Sequence, residues 1–197
     1  MKNKDLTEGS ILKTLFVFAI PFLLANVLQS LYGAVDLFVV GQYCDAKSVA
    51  AVSTGTQVTQ IITSLVSGLT LGSTIIIGKY MGQKKYDRVR QTIGTTLTVF
   101  FFVAIVLTVV MIAFERQLLA LLKTPKESFE LTVQYVTICM LGNLFICGYN
   151  AISAILRGYG DSTRPMIFVG IACLMNIILD FVFVKYCGLG VSGTALA

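Results

Sequence analysis

Two carboxylates stand out in a chain that is otherwise mostly hydrocarbon. Asp36 and Asp180 each sit near one end of a long apolar stretch, and each precedes a similar run, Leu37-Phe38-Val39-Val40 and Phe181-Val182-Phe183-Val184. A charge inside a membrane helix costs roughly 2.5–3.5 kcal/mol on insertion scales, so such residues are rare and line ion or substrate paths. Asn176 lies four residues before Asp180, on the same helix face. Asn26, Gln29, Gly33 and Asp36 recur at steps of three and four, which also places them on one face. Asn143 and Asn150, seven apart, share a face of the apolar stretch Leu131–Leu156. If the helices carrying Asp36 and Asp180 pack together, the two acids face one cavity, with Asn176 and Asn150 as neutral oxygen ligands. Two acids in a poorly solvated site do not both ionise easily. Such a site can take up a proton or, with both acids ionised, hold a hard monovalent cation. The residues alone leave both open.

The elements that must position these groups are legible from hydropathy. The chain has 197 residues, of which 56% are hydrophobic and only 13% charged, with mean hydropathy +0.83. Soluble domains carry about 25% charged residues. Five apolar stretches, Leu15–Val40, Val49–Ile77, Ile93–Phe114, Leu131–Leu156 and Met166–Val184, are long enough to cross a hydrocarbon core of roughly 30 Å. Only helices and closed barrels satisfy the backbone in lipid, and no period-2 alternation supports a barrel. After Gly188-Leu189-Gly190 the small apolar residues Val191 to Ala197 suit a helix start. The expectation is an all-α polytopic bundle, a single membrane domain over residues 1–197, with five spans and the start of a sixth cut off at its beginning.

Formal net charge is +5, but its distribution argues for a membrane protein and against nucleic-acid binding. Lys2, Lys4 and Lys13 precede the first span. Lys79, Lys84, Lys85, Arg88 and Arg90 follow the second, and Arg157 and Arg164 follow the fourth. The alternate loops carry fewer, which places the N-terminus in the cytoplasm. The segment Glu115–Glu130 reads as an outer loop broken by Pro125. No cleavable signal peptide is evident, because the first stretch is too long for one. Pro21 removes a backbone hydrogen bond from that stretch and should kink it. Ser53, Gln57, Gln60, Ser64 and Ser67 form a polar stripe on the second. Its preferred reading is hydrogen bonding between helices, with cavity lining open to Asn26, Gln29 and Gln57. Gly68, Gly72, Gly78 and Gly82 read as packing positions.

Enzyme classes find no support. The chain has no His, the commonest general base, and no nucleophile turn or metal-spaced acid cluster. No cofactor is expected. The five cysteines form no C-x-x-C pair, and a bridge between Cys44 and Cys187 is not favoured. Gly72 to Tyr80 is not a phosphate loop: the glycine spacing is wrong and Tyr80 stands where Ser or Thr must hold Mg²⁺. Any transport must then be driven by an ion gradient or a partner.

The ordered motifs of the chain resemble the multidrug and toxic compound extrusion (MATE) transporters. Tyr32-Gly33-Ala34-Val35-Asp36-Leu37-Phe38-Val39-Val40-Gly41 resembles the family's first helix, with Pro21 upstream. Gly78-Lys79-Tyr80-Met81-Gly82 resembles the exit of its second. Leu156 to Met166, LRGYGDSTRPM, is the most specific match; Asn176 to Asp180 and Gly190-Val191-Ser192-Gly193 follow in order. The resemblance implies two six-helix lobes around a central cavity, exporting drugs or organic cations by alternating access coupled to H⁺ or Na⁺. It implies that Asp36, Asn176 and Asp180, with Asn150, form the cation site, and that protonation bends the first helix near Pro21. It also implies a missing C-terminal lobe, a drug-like or cationic substrate and a cell (inner) membrane location. A lipid-linked precursor flippase of the same superfamily and a small structural or regulatory membrane protein are the alternatives. The first favours a cationic cavity that the spans do not supply.

Overall fold

The computed structural model describes residues 11–197, apart from the side chains of Ile11, Lys13, Thr14 and Tyr32. Lys2 and Lys4, invoked above for orientation, lie outside the described residues, as does the Lys13 side chain. The elements are α1 (Ile11–Tyr43), α2 (Ala46–Gly82), α3 (Tyr86–Leu121), α4 (Phe129–Leu141), α5 (Asn143–Gly158), α6 (Thr163–Asp180) and α7 (Gly190–Leu196). A π-helical segment, Phe181–Tyr186, continues α6. Among the described residues there is no strand.

Among the described residues, four helical stretches are long and apolar enough to cross a membrane: Leu15–Tyr43, Ala46–Gly82, Tyr86–Leu121 and Thr163–Tyr186. A fifth results if α4 and α5, bent by 46° across Gly142, count as one broken span. The expected bundle is therefore present, and α7 is helical where a sixth span was expected to begin. At 1.5 Å per residue α2 is ~55 Å long, well beyond the hydrocarbon thickness. Its excess carries Lys79, in its last turn, to the basic end before α3.

The helices pack α1 against α6, α2 against α5 and α4, and α3 against α5. Val40, Val52, Val58, Val66, Phe100, Val136 and Met140 fill the core between α1 and α5. Phe102, Val109, Phe145, Leu174 and Ile178 point outward and are exposed, as lipid-facing side chains of a membrane bundle are.

Two ends can be told apart. Thr74 Oγ1 donates to the Ala154 carbonyl at 3.2 Å, and Ser162 Oγ donates to the Phe18 carbonyl at 2.8 Å. These bonds gather the last turns of α2 and α5, the start of α6 and the early part of α1. This end bears exposed Lys79, Lys84, Lys85, Arg88, Arg90 and Arg164 and is the basic end. At the opposite end Arg116 makes a two-bond ion pair with Glu130, both bonds 2.9 Å.

Several local expectations change. Glu115 is not in a loop: α3 runs on to Leu121, and Glu115 is buried, with both carboxyl oxygens 3.1 Å from Thr137 Oγ1. Hydropathy ended the span too early because one satisfied acid can remain inside a helix. The fourth span is not a continuous helix but breaks at Gly142, since a lone glycine weakens a helix without announcing a bend. Of Gly68, Gly72, Gly78 and Gly82, Gly78 alone has a neighbour in reach, the Gly158 carbonyl at 3.6 Å from a built Cβ; a Cβ at Gly68, Gly72 or Gly82 would meet nothing within 4 Å. Cys44 and Cys187 are free thiols.

Gly158 sets how closely α5 approaches α2. A Cβ there would lie 2.5 Å from Ile77 Cγ2 and 3.3 Å from the Thr74 carbonyl. Overpacking of this kind costs ~1–3 kcal/mol, so Gly158→Ala should lower the thermal midpoint of the purified protein accordingly.

Asp45 caps α2, accepting from the Ser48 hydroxyl at 2.7 Å and its backbone N–H at 2.9 Å. These bonds hold its carboxyl below the usual carboxylate range. A lowered folded-state pKa contributes stability above the unfolded value that is lost as pH falls through the folded value. Asp45→Ala should therefore lower the midpoint at neutral pH, and the gap should close as the scan is repeated at increasingly acid pH.

Candidate cation site

Asp36 and Asp180 come together. Asp36 lies about two turns before the end of α1, and Asp180 about as far before the end of the π segment. Asp36 is 8% exposed and Asp180 0%. Both acids are shielded within the bundle, as the poorly solvated site read from the sequence requires. The two carboxyl groups are electrostatic neighbours. Asp180 occupies the junction where α6 gives way to the π segment, a geometry often found at functional sites.

Asn176, one turn before Asp180, donates from Nδ2 to Asp36 Oδ1 at 3.3 Å. Its own Oδ1 is buried without a donor, and so are both oxygens of Asp180. Among the described residues, ion pairs join Arg116 to Glu130 and Arg164 to Asp161, both away from this pair of acids. The cluster therefore concentrates acceptor oxygens and supplies one amide donor. Buried acceptors left unpaired, carboxylates above all, cost several kcal/mol. A proton bridging the carboxyls meets that demand. So does a hard monovalent cation held by carboxylate and amide oxygens.

The wall of the cluster comes from α2 and α4. Tyr135 and Cys139, four apart on α4, are electrostatic neighbours of Asp36. The Tyr135 hydroxyl lies 3.3 Å from Thr56 Oγ1, and its buried ring lies over Gly55, where an added Cβ would collide with it. Gly33 on α1 faces Thr56 in turn, with 3.6 Å between a built Cβ and the Thr56 methyl. Sequence reasoning missed Tyr135. The available signal was weak: a tyrosine deep in an apolar span must find a partner for its hydroxyl.

The other sequence candidates lie nearby or elsewhere. Asn150 donates to the Ile146 carbonyl at 2.9 Å and receives a long 3.5 Å contact from Thr70, so its recorded bonds tie α5 to α2. Its partner in spacing, Asn143, is buried and bonds the Ala104 carbonyl and Thr108 on α3. Asn26 and Gln29 are exposed, and the Asn26 amide turns back to the Phe22 carbonyl of its own helix. Gln60 was expected to bond between helices, and Gln57 either to do so or to line a cavity; both line an open recess of 440 Å³ with Thr56, Ile61 and Ser64. Pro21 lies inside α1, which stays helical on both sides of it.

The sequence matches the MatE family model over residues 21–182, a range that holds Pro21, both acids, Asn150 and Asn176. The chain belongs to the MatE family. It is 30% identical to a "Probable multidrug resistance protein YpnP" of Bacillus subtilis (strain 168), over 99% of this chain and 44% of that protein. It superposes on a solved structure described as "Crystal structure of MATE in the bent conformation" with TM-score 0.93 and 27% identity, covering 99% of this chain and 43% of that one. A solved MATE "in the straight conformation" gives TM-score 0.89 at the same identity and the same two coverages. The chain thus spans less than half the length of the MatE relatives it matches. As a MatE member with several apolar helices, it is a multi-pass membrane protein, of a family of transporters rather than enzymes.

The contact between Gly55 and Tyr135 is open to a double-mutant cycle. Gly55→Ala should destabilise the protein by ~1–3 kcal/mol by displacing the ring. In a Tyr135→Leu background the same change should cost clearly less, as read from thermal or denaturant midpoints.

Proposed function

We propose that this chain forms the N-terminal lobe of a secondary active antiporter that exports drugs or organic cations. In this reading Asp36, Asn176 and Asp180 bind the coupling ion, H⁺ or Na⁺. The observation that carries it is the unmet need for a donor or cation: three buried oxygens, on Asn176 and Asp180, have none. A site that binds and releases a cation must tolerate such a deficit between turns of the cycle. Asn150 is a more distant candidate, since its recorded bonds run to α2 and within α5.

The exposed polar face fits the same reading. Asn26 and Gln29 on α1 and Gln57, Gln60 and Ser64 on α2 are exposed, alongside the large apolar side chains exposed elsewhere on the bundle. Polar side chains at membrane depth belong against protein or water. A second lobe enclosing a wet cavity would supply both, and the recess beside Gln57 would then open into the substrate path. MatE relatives more than twice this length are consistent with such a lobe. The basic end, by the loop-charge rule, lies in the cytoplasm at the cell (inner) membrane.

The test is efflux from cells carrying the full-length protein. Asp36→Asn and Asp180→Asn should each abolish drug efflux with membrane expression intact. Vesicles with imposed H⁺ or Na⁺ gradients should then identify the ion. Efflux at the wild-type rate from both variants removes the proposal.

A further inference from the structure

The last turn of α5 and the connection into α6 grip α1 on both sides of its proline. Pro21 has no N–H, so the Val17 carbonyl loses its helical partner, and the ring crowds that carbonyl. The next carbonyl, Phe18, accepts a 2.8 Å hydrogen bond from Ser162 Oγ, 144 residues away in sequence. One turn on, the Arg157 guanidinium carbon lies 4.8 Å above the centroid of the Phe22 ring. Phe18 and Phe22 are i and i+4, so the two contacts lie about one turn apart along α1, astride Pro21.

The local sequence explains how Ser162 is free to do this. A serine just before a helix ordinarily caps that helix with its own side chain. Here Asp161 takes the capping role: its Oδ1 accepts from the N–H groups of Thr163 and Arg164, both at 3.1 Å, and Arg164 Nε holds its other oxygen at 3.1 Å. Gly160, at φ 83°, allows the reversal that presents this turn to α1. Ser162 is 4% exposed, and its hydroxyl is directed across to another helix. Beyond the proline, α1 is tied to α6 again by the bond from Asn176 to Asp36.

We propose that Ser162 is a positioning residue that braces α1 at its proline-weakened turn, with Arg157 as the second point of the clamp. α6 and the turn before it then act as a splint along α1. The segment before Pro21 can swing only by breaking the bond from Ser162 to Phe18. The placement of α1 is set from the basic end as well as from the buried acids.

Amide hydrogen exchange on the full-length protein in lipid nanodiscs tests this. Ser162→Ala should speed exchange of α1 amides between residues 15 and 24 by ~2–10-fold, the range expected for loss of one hydrogen bond. Residues 163–175 should stay protected, because Asp161 still caps α6. Ser162→Thr, which keeps the hydroxyl, should restore the wild-type rate. Arg157→Gln should give the same regional loosening and serves as the second variant should Ser162→Ala fail to fold. Unchanged exchange around Pro21 in both Ser162→Ala and Arg157→Gln overturns the proposal. So does loosening that spreads equally into α6, which would make Ser162 a cap. Efflux does not enter the readout, so a failed coupling-site assignment leaves this result standing.

Discussion

A shortage of hydrogen-bond donors around two buried carboxyl groups is the constraint on which this bundle turns. Asp36 and Asp180 are carried on different helices and shielded from solvent. One amide, from Asn176, reaches one of them. No arrangement of apolar side chains could compensate two ionised acids there, since desolvation outweighs any packing gain. In the proposed function, the packing of α1 on α6 and the occupancy of the cluster by a cation are two aspects of one equilibrium.

The surroundings keep that equilibrium sharp. Gly55 and Gly33 let α2, α1 and the Tyr135 ring of α4 close around the acids. Tyr135 and Thr56 satisfy each other's hydroxyls rather than adding donors to the cluster. Walls that are tight and largely self-satisfied leave the acids to be answered by something small. At the other end of α1 the clamp from Ser162 and Arg157 does the opposite work, holding a turn whose own ladder is broken by Pro21. α1 is therefore a long helix with a weak point, fastened on either side of it.

The exposed polar residues of α1 and α2 share a bundle with large apolar side chains turned toward lipid. A membrane protein tolerates such a polar face only where water or more protein meets it.

The sequence by itself determined the class, the number and approximate extent of the apolar spans, and the two acids with Asn176. These follow from local quantities: run length, charge density and the 3.6-residue period, none of which needs a partner helix. The tertiary structure alone decided which faces meet. Tyr135 joined the acids and Asn150 turned to Thr70, though neither spacing nor composition separates them from ordinary span residues. Glu115 remained in α3 because Thr137 happens to face it, and α4 parted from α5 at a glycine no different in sequence from Gly148. Ser162 looked like a turn residue until its hydroxyl was seen on Phe18. Each of these depends on crossing angles and close approaches between segments far apart in the chain, and a one-dimensional pattern carries the period of a helix but not the neighbour it will face.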